Sequence, residues 1–268
     1  MRDYIRAAGG GLIIGLPLLF TMEVWFHGFI LPAWKILALL AVGFAIVLGY
    51  NAIAGFRRER TVAELVVDAT SAMGLGVVIA AVALVLLGRI DFSTSVRDAV
   101  GKIALEAIPI AFGASIATTQ LGGDDGGRTS DTGPFERLLV GAGGALIFAL
   151  NVAPTEEPMM LGIEASPWLL VAVVGASVGL TFALVFLADF GGRPRGGEGI
   201  LEHPWSETIA AYAVSLLVSV LLLWAFGRTD GAGTASIVGM TVMLTVVASV
   251  GAAVARLLVG GHQEGGRA

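Results

Sequence analysis

The chain contains no cysteine, so disulfides, thiol nucleophiles and thiolate metal sites are excluded together. Its three histidines, His27, His203 and His262, stand far apart, which argues against an all-imidazole metal centre. Lysine occurs at Lys35 and Lys102 alone, so a retinal Schiff base on the last apolar run is excluded. Charge is scarce: 14% of the residues are charged, against roughly 25% in soluble domains. No P-loop, dinucleotide glycine fingerprint, His-Glu-x-x-His or Gly-x-Ser-x-Gly is present. These absences predict a protein that is not an enzyme, needs no cofactor and binds no nucleic acid.

What the chain does have is apolar length. Hydrophobic residues make up 56% of it and the mean hydropathy is +0.86. A helical span needs about 20 mostly apolar residues. Eight stretches qualify, near 8–27, 33–55, 64–88, 101–120, 135–153, 167–189, 206–227 and 233–258. The fold class expected is all-α, a polytopic protein whose first partner is the lipid bilayer. The 38 glycines suit helices that approach closely in lipid. The first run lacks a small-residue cleavage site and reads as a retained span. With the N-terminus cytoplasmic, the inner side holds Arg2, Arg6, Arg57, Arg58, Arg60, Arg128, Arg137, Arg193, Arg195, Arg256 and Arg267. The outer side holds Lys35, Arg89, Arg97, Lys102 and Arg228. That excess predicts both termini inside a bacterial inner membrane.

The chain also repeats itself. Residues 9–23 align without gaps to 143–157, an offset of 143 − 9 = 134, and both copies end in Thr-x-Glu. Trp34 matches Trp168 at the same offset. Asp68 then matches Glu207, and Gly88-Arg89-Ile90-Asp91 matches Gly227-Arg228-Thr229-Asp230, at 139. Two parallel four-helix repeats follow, at 1–123 and 135–268, with a cytoplasmic linker at 124–134.

Carboxylates within spans cost roughly 2.5–3.5 kcal/mol each on insertion scales and mark partners or pathways. Glu23, Glu106, Glu156 and Glu157 lie near the outer ends; Glu64, Asp68, Asp189 and Glu207 lie near the inner ends. Pro154 and Pro158 predict unwound chain around Thr155-Glu156-Glu157, and Pro17 and Pro109 predict kinks beside Glu23 and Glu106. Carboxylates, freed carbonyls and the hydroxyls of Thr21 and Thr155 make an oxygen-only ligand set suited to hard cations. Each acid also has a plainer reading. Glu106 stands four residues after Lys102, so a helix-surface ion pair is open to it. Glu156 and Glu157 could be a solvated loop, Glu23 part of an interfacial belt, and Glu64, Asp68 and Glu207 inner-leaflet ion pairs.

Three segments carry a family resemblance: Leu16–Trp25 (LPLLFTMEVW), Glu106–Ser115 (EAIPIAFGAS) and Asn151–Pro158 (NVAPTEEP). Together they resemble a bacterial family of integral membrane proteins of unknown function. The resemblance implies a multispan inner-membrane protein and carries no activity with it.

The function expected is cation transport, by a channel or carrier for a divalent ion such as Ca²⁺. Glu23, Glu156 and Glu157 would ligate the metal between the repeats, Thr21, Thr155 and Glu106 would assist, and Asp68 with Glu207 would form an inner constriction. Bound Ca²⁺ or another inorganic cation is the ligand implied, and a homo-oligomer is open. A proton-coupled exporter of small solutes and a non-transporting partner or sensor are the alternatives.

Overall fold

A computed structural model of the chain describes residues 2–54, 61–121, 134–189 and 204–260. All regular structure among them is helical: α1 (Arg2–Leu19), α2 (Met22–Ile30), α3 (Ala33–Ala54), α4 (Val62–Leu86), α5 (Val96–Leu121), α6 (Pro134–Leu150), α7 (Glu157–Glu164), α8 (Pro167–Asp189), α9 (Pro204–Ala225) and α10 (Thr234–Gly260). The linker expected at 124–134 lies, but for Pro134, outside the described residues. So do Arg57, Arg58, Arg60, Arg128, Arg193, Arg195 and Arg267, on which the orientation argument leans.

Six helices are long and apolar enough to cross a membrane, or seven if the bent pair α1–α2 counts as one. The expected eight therefore needs correction at two places. The stretch 8–27 is broken: α1 and α2 meet at 80°. The stretch 135–153 yields only a short apolar helix, Leu138–Leu150, before the chain turns into α7. Proline accounts for both. Pro17 lies in the last turn of α1, Pro154 in the turn before α7, and Pro158 in the first turn of α7.

The chain divides into two compact units, Met1–Gly126 and Gly127–Ala268. In the first, α5 runs through the middle and touches α1, α2, α3 and α4. In the second, α10 touches α6, α7, α8 and α9 in the same way. These two helices are the most enclosed of the candidate spans, 72% and 61% buried, whereas α4 and α8 are only 22% and 17% buried. Their apolar outer faces, with Val78, Val82, Trp168 and Val171 exposed, suit contact with acyl chains.

Glycine sets the closest crossings. Gly10 on α1 meets Gly113 and Ala117 on α5, and Gly144 on α6 meets Gly251 and Ala255 on α10. Gly28 on α2 meets Gly101 and Lys102; Gly162 on α7 meets Gly239 and Met240. At each crossing an added Cβ would collide with backbone of the facing helix. The offsets are 134 for the first partner, the spacing already visible in the sequence, and 138 for the second.

The repeated Gly-Arg-x-Asp is a helix stop. Gly88 (φ +66°) and Gly227 (φ +73°) take the left-handed conformation after α4 and α9. Arg89 N–H then donates to the Leu84 carbonyl (2.8 Å) and Arg228 N–H to the Leu223 carbonyl (2.8 Å), closing the ends of the helices. At the start of α4 the Thr61 hydroxyl and the Glu64 carboxylate exchange bonds with each other's backbone N–H, so Glu64 is a helix cap.

Candidate functional site

In the first unit the α1–α2 break leaves backbone oxygen exposed to a polar role. Phe20 N–H reaches Leu16, Thr21 N–H reaches Leu18, and Val24 N–H reaches Thr21. None of these bonds uses the carbonyls of Leu19 or Phe20. The half-buried Thr21 hydroxyl turns back to the Pro17 carbonyl at 2.7 Å. Glu23, also half-buried, begins α2, and its carbonyl lies 2.6 Å from His27 Nδ1.

Glu106 lies on α5 opposite this break. One turn before it, Lys102 meets Gly28 of α2; one turn after it, Ile110 meets Gly15 of α1. Glu106 shares the face of those two residues and so stands level with the corner between the helices. It is fully buried, and neither carboxylate oxygen has a hydrogen-bond partner among the described residues. Pro109, inside the same helix, supplies no N–H to the Leu105 carbonyl, which adds a further oxygen next to the acid.

The ion pair that helical spacing offered Glu106 is not formed. Lys102 Nζ donates instead to the Arg89 carbonyl at 2.7 Å and lies 5.7 Å from the centre of the Trp25 ring. Arg89 stacks on that ring as well, at 5.1 Å. Arg97 donates to the Phe29 carbonyl (3.0 Å) at the negative end of α2. The cations of this region are thus spent on holding α2 in place.

In the second unit one acid near the break is paired. Glu156 accepts a bond from Arg228 at 2.8 Å, and the same guanidinium reaches the Pro154 carbonyl. The Thr155 hydroxyl stands within reach of two acceptors, the Val152 carbonyl at 2.8 Å and the Glu157 carboxylate. The exposed Glu157 carboxylate is held below its ordinary value of 4.5 by the Thr155 hydroxyl and its own backbone N–H, with a smaller pull from Arg228. Glu156 is thus bound to Arg228, whereas Glu157 is held mainly by Thr155 and only weakly by Arg228. Among the described residues no group of three or more His, Asp or Glu side chains could hold a metal ion.

Of the inner acids, Asp68 is half-buried on α4, and Glu207 on α9 forms a buried ion pair with Arg256 on α10. Sequence reasoning missed the polar seam beside that pair. Thr208, Ser215 and Ser219 on α9 and Thr241, Thr245 and Ser249 on α10 are all buried. Thr245 donates to Ser219 across the two helices at 3.1 Å. Their four- and seven-residue spacings were a signal available beforehand. At the corresponding positions of α4 and α5 stand Ala69, Gly76 and Ala80, and Ile103, Ala107 and Ala111. Conversely, the position matching Glu106 (106 + 138 = 244) is Leu244, also fully buried.

Residues 3–259 match the family described as a putative integral membrane protein (DUF2391). The chain belongs to this family. It is an integral membrane protein, as the apolar helices and the family agree. No match is found among curated proteins or among solved structures.

Proposed function

We propose that this protein carries a cation across the membrane, with Glu106 as the group that takes the cation up. The observation behind the reading is the buried carboxylate with neither a hydrogen bond nor an ion pair among the described residues. An acid inside a span costs roughly 2.5–3.5 kcal/mol even on insertion scales, and a buried unpaired charge costs more. Glu106 offsets that cost with no structural contact, and Leu244 fills the matching place in the second unit without any acid. A ligand that completes the carboxylate accounts for its presence.

One carboxylate with backbone carbonyls balances a single positive charge. Ca²⁺ takes 6–8 oxygens, usually from several carboxylates, so a monovalent cation fits Glu106 better than the divalent ion expected from sequence. Thr21 and Glu23, at the corner level with Glu106, form the approach. The protein acts as a carrier or channel rather than an enzyme. The bilayer it crosses is a bacterial inner membrane, as the resemblance carried by Leu16–Trp25, Glu106–Ser115 and Asn151–Pro158 implies.

Reconstituted vesicles test this directly. Wild-type protein should pass at least one of H⁺, Na⁺, K⁺, Mg²⁺ and Ca²⁺, and Glu106→Gln should lower that flux at least tenfold. Glu64→Gln, at the helix cap, should retain it. Equal flux through wild type and Glu106→Gln would remove the proposal.

A further inference from the structure

We infer that the cation held at Glu106 is a proton, one per chain; the inference rests on the transport reading above. The packing around the acid is the reason. Every neighbouring helix approaches α5 through a glycine within about one turn of Glu106: Gly15 of α1 against Ile110, Gly28 of α2 against Lys102, Gly43 of α3 against Ile108 and Gly76 of α4 against Ala107. Leu18, Leu19, Leu105 and Ile110 are fully buried at the same level. A metal ion needs several oxygens at about 2.0–2.6 Å and space for its own volume. A proton needs one carboxylate oxygen and no added volume.

The charged surroundings agree. The ionisable groups whose side chains are described on the packed elements are Tyr4 and Arg6 on α1, Glu23 and His27 on α2, Lys35 and Tyr50 on α3, and Glu64 and Asp68 on α4. On α5 itself they are Arg97, Asp98 and Lys102. None of them bonds to Glu106. Its charge is therefore balanced by a ligand small enough to enter closed packing. The second unit has Leu244 at the matching place, so the stoichiometry is one site per chain and not two.

Infrared spectroscopy of the full-length protein in vesicles provides the test, because a protonated carboxyl has a C=O stretch separate from the carboxylate bands and no reagent has to enter the packing. The band is expected in wild type, shifted to lower frequency in D₂O, changed less than twofold by addition of Na⁺, K⁺ or Ca²⁺, and reduced more than tenfold in Glu106→Gln. Glu106→Asp should restore it. Loss of the band on addition of a metal ion would overturn the proton and leave cation transport standing. Absence of the band in protein whose flux depends on Glu106 would overturn the proton too. Should Glu106→Gln fail to fold, Glu106→Leu, copying the second unit, serves as the control without the band.

Discussion

Glu106 and Glu207 are both carboxylates buried in helical bundles, and their surroundings separate them. Glu207 meets a guanidinium, whereas Glu106 meets none. Replacing Glu106 by Gln removes a buried acid that bonds to no group among the described residues. The variant should equal or exceed wild type in thermal unfolding midpoint in detergent while losing transport. A fall in that midpoint by several degrees would mean that the acid has a structural partner. Glu157 gives a residue-level test outside the spans. Its folded value lies below 4.5, so its stabilising contribution is present above that pH and is lost as pH falls through the lowered folded value. Thr155→Val should move the Glu157 titration upward towards 4.5, read by carbon-detected NMR. The sequence marked Glu106 as unusual but left two readings open, because Lys102 shares its helix face. What closed one of them was the Arg89 carbonyl at the end of α4, distant in sequence, which takes the Lys102 ammonium.

Elements were legible where proline and capping chemistry spoke, and less so where length was the only guide. The hydropathy of residues 8–27 runs on across a corner, so a window of 20 residues cannot see the 80° bend. Pro17 predicted a kink, and the structure ends the helix two residues later. The Glu207–Arg256 pair joins α9 to α10 in a buried place, where removing one partner leaves an uncompensated charge. Arg256→Ala should therefore cost about 3–5 kcal/mol, and Glu207→Met with Arg256→Met together should recover most of it. Denaturant unfolding in mixed micelles reads both. Additive losses would show that the two residues act separately. Glycine supplies a second contrast. Gly28→Val places a side chain against the backbone of Gly101 and Lys102 and should destabilise by more than the ~1–3 kcal/mol of ordinary overpacking. Gly175→Ala on α8 meets nothing within 4 Å and should gain up to ~1 kcal/mol from helix propensity. Equal effects at the two sites would refute the close crossing.

At the scale of the molecule, the two units share a packing scheme and differ in what they bury. The first encloses an acid, the second a seam of hydroxyls ending at an ion pair. The matching crossings were legible because the sequence carries Gly, Pro and charged residues at the same offsets, many at turns where the backbone tolerates few substitutes. The difference was harder to see, since Ser, Thr, Ala and Gly are exchangeable by size in a lipid-packed helix and only burial gives the hydroxyls meaning. One expectation follows for the whole chain. Leu244→Glu introduced into Glu106→Gln protein should not restore flux, because the second unit has no counterpart of the Leu105 carbonyl freed by proline: residue 247 there is Val. Restored flux would show the units to be interchangeable.

The crossing of Gly28 with Gly101, and of Gly162 with Gly239, has a historical consequence. Each glycine abuts the main chain of the other, so neither can acquire a side chain and no change at its mate would make room. Drift at these four positions is blocked from both sides. Among relatives they should stay unaltered even in lineages where Glu106 has been replaced, and such lineages would have kept the shape after giving up the chemistry.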